Sequence, residues 1–202
     1  HYVKEKNEQT LENQRVLLDR KLPAEAEEQV EKTIETIREA MDTIEKVSSL
    51  RRFKSGDERN RVTVKTCLEN AVDECKETAE KRGFRIEKVV STDSMVEGKD
   101  LLENLLVNLI ENSILHSNGE RIRVTGKSLD DEIVYIVEDD GKGIPEDERE
   151  EVFENDYRKG EDSGSGFGLY FVNEIVESYG GSIEVKDSEL GGARFDIHLK
   201  GA

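Results

Sequence analysis

Between Ala24 and Phe53 apolar positions recur at alternating spacings of three and four. Val30, Ile37 and Ile44 form one series, and Ile34, Met41 and Ser48 form the other. That spacing is the seam of a helix bundle. His1 to Lys21 is charged, carries no helix breaker and puts Val3, Leu11, Leu17 and Leu18 roughly on one face. Pro23 then reads as a turn or as the first position of the next helix. Two helices cannot bury such a seam on both sides, so the pattern predicts a second copy completing a four-helix bundle. The alternative is a hairpin packed on its own globular domain. Lys54 to Asn60 is polar, contains Gly56 and reads as a linker.

After the linker the period changes. Arg61 to Val64 reads as a short strand. Thr66 to Arg82 reads as an amphipathic helix with Leu68, Ala71, Val72, Cys75 and Ala79 inward, stopped at Gly83. Phe84 to Val90 alternates as a strand does. Asp100 to His116 reads as a Leu-rich helix that buries Leu102, Leu105, Leu106, Leu109 and Ile110. Arg121 to Val124 and Ile133 to Val137 read as strands around a turn at Asp130-Asp131. Pro145 to Phe153 reads as a short helix and Gly166 to Tyr179 as a longer one. Ser182 to Val185 and Ala193 to Leu199 form a last hairpin through Gly191-Gly192. The expected class is α+β: a helical hairpin over residues 1–54, then an α/β sandwich over 61–202.

Charge narrows the partners. Thirty basic residues against 47 acidic ones leave a net charge of −17 among 202 residues. Such a field repels nucleic acid and anionic membrane, so an anionic ligand would need a local basic or backbone-amide site. No apolar run approaches the roughly 20 residues of a membrane span, and no signal-peptide pattern opens the sequence. Cys67 and Cys75 lie in a helical pattern and read as free thiols of a reducing, cytoplasmic protein. Without a Cys-x-x-Cys pair, and with three scattered histidines, a structural zinc site is not expected. Abundant Glu, Lys and Arg with two prolines hint at a thermophile.

Three stretches carry candidate chemistry. Asn108 and Asn112 are four apart on one helix face, with Glu111 on the neighbouring line. Asn is a poor helix-interior residue. Its amide oxygen is a hard ligand that suits magnesium, and the carboxylate beside it can orient a nucleophile. Next, Asp139-Asp140-Gly141-Lys142-Gly143-Ile144-Pro145 follows an apolar strand. Its glycines let backbone approach a flat ligand, and a carboxylate there can accept the exocyclic amine of adenine. By itself the stretch is an ordinary Asp-Gly turn. Third, Gly164-x-Gly166-x-Gly168-Leu169 opens a helix, where amides and dipole favour phosphate. It matches neither a Walker P-loop nor a Rossmann fingerprint. Tyr157, Arg158 and Lys159 just before it read as a mobile lid whose basic groups can meet phosphate, or as a solvated loop.

In this order the stretches resemble the catalytic region of sensor histidine kinases of two-component systems, within the ATPase group that includes gyrase, the heat-shock chaperone ATPases and the mismatch-repair ATPases. Asn108-Leu-Ile-Glu111-Asn112-Ser-Ile-Leu-His116-Ser resembles the N box. Asp139-Asp-Gly141-Lys-Gly143-Ile144 resembles the first G box, Val152-Phe153-Glu154 the F box, and Gly164-Ser-Gly166-Phe167-Gly168-Leu169 the second G box. Gly191-Gly192-Ala-Arg-Phe195 resembles the last glycine turn. The likeness runs from about Arg61 to the end, and the hairpin resembles a dimerisation and phosphotransfer domain.

The resemblance implies ATP and Mg²⁺ as cofactors. Asn112 would hold the metal, Asn108 and His116 would lie at the phosphates, and Glu111 would act as base or orienting group. Asp139 would bind adenine, the glycines would shape the pocket and lid, Ile144, Phe167 and Leu169 would also contact ATP, and Tyr157, Arg158 and Lys159 would belong to the lid. It also implies autophosphorylation of a hairpin histidine, transfer to an aspartate of a response regulator, a homodimer, and a sensor domain upstream. His1 lies 111 residues before Asn112 on the expected first helix. It is followed by Tyr2 and Val3 rather than an acid, and no proline precedes Pro23. The acceptor is His1 or a histidine upstream of it, or His1 is a tag remnant. Tyr157 falls one position later than the family's second F-box aromatic. Two other functions fit the same motifs: a serine-directed kinase or plain ATPase of this fold, and a non-catalytic nucleotide-binding dimerisation module.

Overall fold

The computed structural model describes residues 2–18, 23–55, 61–97, 99–129, 132–154 and 167–200. The chain divides into two compact units, residues 1–48 and 49–202. The first unit is helical. Helix α1 spans Tyr2–Leu18, and α2 spans Ala24–Ser55, so that its last turns belong to the second unit. Among the described residues of the first unit Ile34 is buried, while Ile44 and Val47 are 37% and 49% exposed on α2. Helix α2 runs through Lys54 and Ser55, two residues beyond its expected end at Phe53, with Lys54 ion-paired to Glu174 at 3.1 Å.

The second unit is a helical layer on a mixed sheet. Its elements are β1 (Arg61–Thr63), α3 (Val64–Lys81), β2 (Arg85–Val90), β3 (Met95–Glu97), α4 (Lys99–His116), β4 (Arg121–Leu129), β5 (Glu132–Asp139), α5 (Phe167–Ser178), β6 (Ser182–Asp187) and β7 (Ala193–Lys200). Among the described residues the main sheet has the order β2-β4-β5-β7-β6, parallel only at β2/β4, and β1 pairs antiparallel with β3.

Helix α3 starts two residues before its expected position. Val64 is its first residue, and the Thr63 side chain caps it by accepting from the Thr66 amide at 3.0 Å. All five residues expected inward on α3 are buried, as are all five on α4. Burying a Leu or Ile stabilises by about 1.5–3 kcal/mol, so the Leu102, Leu105, Leu106, Leu109 and Ile110 stripe fixes the rotation of α4 and thereby the bearing of Asn108.

Helices α3, α4 and α5 cover one sheet face, where Ile122, Val124, Tyr135, Val137, Phe195 and Ile197 meet them. Among the described residues no helix covers the other face. There Val134 and Ile136 are buried among charged neighbours on the flanking strands. Arg123 bonds Glu138 at 3.1 Å, Arg194 grips Asp196 with two bonds, Lys186 reaches Asp196 at 3.0 Å, and His198 meets Glu132 at 3.1 Å. Long charged side chains with apolar stems let this face stand in water.

One strand was not expected, and two expectations are corrected. The strand at Met95–Glu97 carries no period of its own and exists through pairing with β1. Strand β4 continues to Leu129 through Gly126, whose missing Cβ would come within 2.8 Å of Val64 Cγ1 and so admits α3 closely. The expected short helix is two separate 3₁₀ turns, Glu146–Glu148 and Glu151–Phe153, neither with a side-chain cap.

Candidate nucleotide site

Helix α4 contributes the first wall. Asn108 is buried, and its Nδ2 donates to the Asn104 carbonyl at 2.6 Å. The bond turns the amide against the first turn of α5, where a Cβ on Gly168 would stand 3.4 Å from Asn108 Oδ1. Asn112, one turn on, is half-buried on the same face. Glu111 is exposed, and its charge adds to burial in pushing the Cys75 thiol up to about 12. His116 is half-buried at the end of α4. Burial first, then the positive charges of Lys142 and Arg82, hold its imidazolium below the ordinary range, so the ring is neutral at pH 7.

The second wall is the end of β5. Asp139 is buried where the chain leaves the sheet. Its Oδ1 accepts from the Gly141 amide at 2.9 Å and the Ala193 amide at 3.2 Å, and its Oδ2 accepts from the Ser113 hydroxyl at 3.1 Å. Burial pushes the Asp139 carboxyl up, and these three bonds pull against it. Asp140 has a different part. It accepts from the amides of Glu120 and Arg121, both at 2.8 Å, and from Arg121 Nε at 3.0 Å. Partial burial would raise its carboxyl, but those bonds outweigh it and hold the group below the usual carboxylate range. Asp140 fastens the start of β4, and Asp139 faces α4.

Glycines let these segments meet. A Cβ on Gly141 would lie 2.2 Å from the Ser117 carbonyl oxygen, and one on Gly192 would lie 2.2 Å from Asp139 Oδ1. Two bonds close the turn, Lys142 N to Ser117 O at 2.8 Å and Gly192 N to Asp139 O at 3.1 Å. Gly143, at φ +70°, approaches Gly192. Ile144 packs on the core, and its carbonyl accepts from Arg149 Nε at 3.2 Å. Phe167 stacks on Phe171 with centroids 5.9 Å apart, and Leu169 packs on the core. Phe153 meets Phe195 edge-on at 6.4 Å.

The structure thus gathers Asn108, Asn112, Asp139, Gly141, Gly143 and Gly168 at one end of the sheet. Glu111 lies at the solvent edge of α4 and His116 at its last turn. His1, Tyr157, Arg158, Lys159, Gly164 and Gly166 lie outside the described residues. Sequence reasoning gave no role to Ser113, nor to the Ala193 amide. Ser113 is a buried hydroxyl one position after Asn112, and only contact with Asp139, 26 residues on, reveals its use.

At this end of the sheet the buried Asp139 carboxylate lies among closely packed glycine backbone. Among the described residues no three His, Cys, Asp or Glu side chains gather as a metal cage. A protein-poor set, the Asn112 amide with Glu111 beside it, fits magnesium that arrives with phosphate and water ligands.

Residues 97–202 match the family model described as histidine kinase-, DNA gyrase B- and HSP90-like ATPase. The chain belongs to this family. Among curated proteins it is similar to the virulence sensor histidine kinase PhoQ of Salmonella typhimurium, at 32% identity over 133 residues, which is 64% of this chain and 27% of PhoQ. It is also similar to the sensor-type histidine kinase PrrB of Mycobacterium leprae, at 35% over 94 residues, 46% of this chain and 21% of PrrB. The chain therefore spans about a quarter of the length of these relatives. Among solved structures, the mycobacterial sensor histidine kinase MprB superposes with a TM-score of 0.62 at 25% identity, covering 71% of this chain and 97% of MprB. The Acinetobacter baumannii histidine kinase AdeS shares the fold over 96% of this chain and 94% of its own, with a TM-score of 0.67 at 18% identity. The chain has the catalytic ATP-binding domain of sensor histidine kinases, and the ligand of that fold is ATP. No described helix is long and apolar enough to cross a membrane.

Proposed function

We propose that this chain is the core of an ATP-dependent protein-histidine kinase. The observation that carries the reading is the junction at the sheet end: Ser113 ties the Asp139 carboxylate to the helix that bears Asn112, and the first turn of α5 meets Asn108. Asp139 accepts the adenine amine, and Asn108 and His116 line the phosphates. Gly141, Gly143, Ile144, Phe167, Gly168 and Leu169 shape the walls, and Gly164, Gly166, Tyr157, Arg158 and Lys159, outside the described residues, are further nucleotide-binding candidates by their place in the motifs. Asn112 would hold Mg²⁺, which would supply neutralisation of phosphate charge. Glu111, exposed to an incoming group, orients or deprotonates the acceptor imidazole. Phosphoryl transfer asks a protein mainly for positioning and charge neutralisation, and this set supplies both.

The acceptor is a hairpin histidine, His1 or one before it, and the phosphoryl group passes on to an aspartate of a response regulator. Ile44 and Val47, exposed on α2 of a single chain, support a homodimer through the hairpin. A sensor domain upstream would supply the signal. The test is incubation with γ-labelled ATP of a chain that carries an intact acceptor histidine. Label stable in base and lost in acid is expected. Acid-stable label, or steady phosphate release without label, overturns the histidine-directed reading.

A further inference from the structure

A carboxylate offers about four acceptor positions. At Asp139 three of them are taken, two on Oδ1 by the Gly141 and Ala193 amides and one on Oδ2 by the Ser113 hydroxyl. Among the described residues one position on Oδ2 remains. A serine has a single hydroxyl hydrogen, and that of Ser113 is committed to Asp139, so the Ser113 oxygen meets any ligand as an acceptor only. Ser113 is 3% exposed and Asp139 2%, so water competes poorly for either. The torsion that turns a carboxylate about its own axis is soft. Two amides on the same oxygen leave that rotation loose, and the bond on the second oxygen stops it.

We propose that Ser113 is a positioning and specificity residue of the purine site: it sets the plane of the Asp139 carboxylate so that the remaining lone pair meets a 6-amino group, and it leaves the pocket floor without a donor for a 6-oxo group. The inference rests on the nucleotide reading above and adds a residue to it. Electrostatics support the geometry. Burial favours a protonated Asp139, and neighbouring Asp140 adds to that push. The groups that answer are uncharged: the Gly141 amide on the same turn, the Ala193 amide on β7 and Ser113 on α4. Without Ser113 the carboxyl protonates more readily, and a protonated acid can donate to a 6-oxo purine.

The test compares ADP with inosine diphosphate by calorimetry at fixed neutral pH and in EDTA, so that the metal role of Asn112 does not enter. The two ligands differ at the 6-position of the base, amino against oxo, and in the proton that the 6-oxo base carries on N1. The parent chain is expected to prefer ADP strongly, because a site that presents an unpaired acceptor rejects a carbonyl. Ser113→Ala is expected to lose about tenfold in ADP affinity and little for inosine diphosphate, so the preference narrows about tenfold. Ser113→Thr keeps the hydroxyl and is expected to keep the preference within about threefold of the parent. Equal losses for both ligands, an unchanged preference in Ser113→Ala, or a Thr variant as unselective as Ala overturns the inference while the nucleotide reading stands. A parent chain that binds neither nucleotide overturns both.

Discussion

Replacing Gly192 with Ala adds one methyl group where the chain has no room for it. The new Cβ would lie 2.2 Å from Asp139 Oδ1, 2.4 Å from the Gly141 nitrogen and 2.8 Å from the Asp139 carbonyl oxygen. Ordinary contact is about 3.5 Å or more. Two of the three obstacles are backbone atoms, and the third is a side chain held by three bonds, so none yields cheaply. Overpacking costs about 1–3 kcal/mol. Relief by displacing the turn loosens the Gly192 N to Asp139 O bond and the Ala193 amide bond to the carboxylate. A bond to a charged group carries about 1.5–3 kcal/mol. The expected loss of stability is therefore about 3–5 kcal/mol.

Gly83→Ala is the control. Gly83 has φ +81° and nothing within 4 Å of its would-be Cβ, so its cost is backbone strain alone, about 1–2 kcal/mol. Urea unfolding followed by tyrosine emission measures both. The chain has no Trp, and of its five tyrosines only Tyr2 lies outside the second unit. With a slope of about 2 kcal/mol per molar urea, the Gly192→Ala midpoint falls by about 1.5–2.5 M. The same variant is expected to lose ADP binding, because Asp139 is what the methyl displaces. A Gly192→Ala chain whose midpoint matches that of Gly83→Ala, and which binds ADP like the parent, would refute the steric argument and the role of the glycine turn with it.

Asp139→Asn keeps the shape and removes a buried charge. Because the folded-state pKa of Asp139 is raised, its contribution to stability is full below the ordinary carboxylate pKa and is lost as pH rises through the raised one. The Asn chain is therefore expected to unfold at higher urea than the parent at neutral pH, and at no higher urea in acid, while ADP affinity falls; an Asn variant less stable than the parent at neutral pH contradicts this. Asn112→Ala is expected to weaken ATP binding on the order of tenfold with Mg²⁺ present and far less in EDTA, read by calorimetry; equal affinities under both conditions would favour a structural nucleotide. Cys67 and Cys75 are buried, and the Cys75 thiol is pushed up to about 12. Neither is expected to react with iodoacetamide until urea unfolds the second unit, and fast labelling of the native chain would contradict the packing of α3 on α4.

What the sequence revealed follows from how far apart the cooperating residues lie. The stripe on α3 and the Leu stripe on α4 repeat within one helix, so periodicity found them. The glycine turns announced themselves because only Gly fits where a Cβ would clash, as it would at Gly141. By contrast β3 has no local signal, since Met95–Glu97 is a strand only through β1, more than thirty residues earlier. Strand β4 looked finished at Val124 because Thr125, Lys127 and Ser128 are polar. Thr125 and Lys127 are tolerated because the uncovered face pairs them with Ile136 and Val134 on β5 in a layer of long charged side chains, while Ser128 lies opposite Ile133 on the helix-covered face near the strand's end.

Ser113 was hidden by the same kind of distance. In a Leu-rich helix a lone serine reads as a neutral filler, and nothing nearby in sequence shares its hydrogen bond. Its partner Asp139 was conspicuous only as a carboxylate before a glycine, a pattern that an ordinary turn also makes. Together the two are informative. A buried acid beside a serine hydroxyl and two fixed amides is costly to fold around, and the fold gains no ion pair there among the described residues. Such a cost is retained where a ligand offers the missing donor. The adenine reading of this site thus stands on the lone pair of Asp139 that no described residue fills as well as on the order of the motifs.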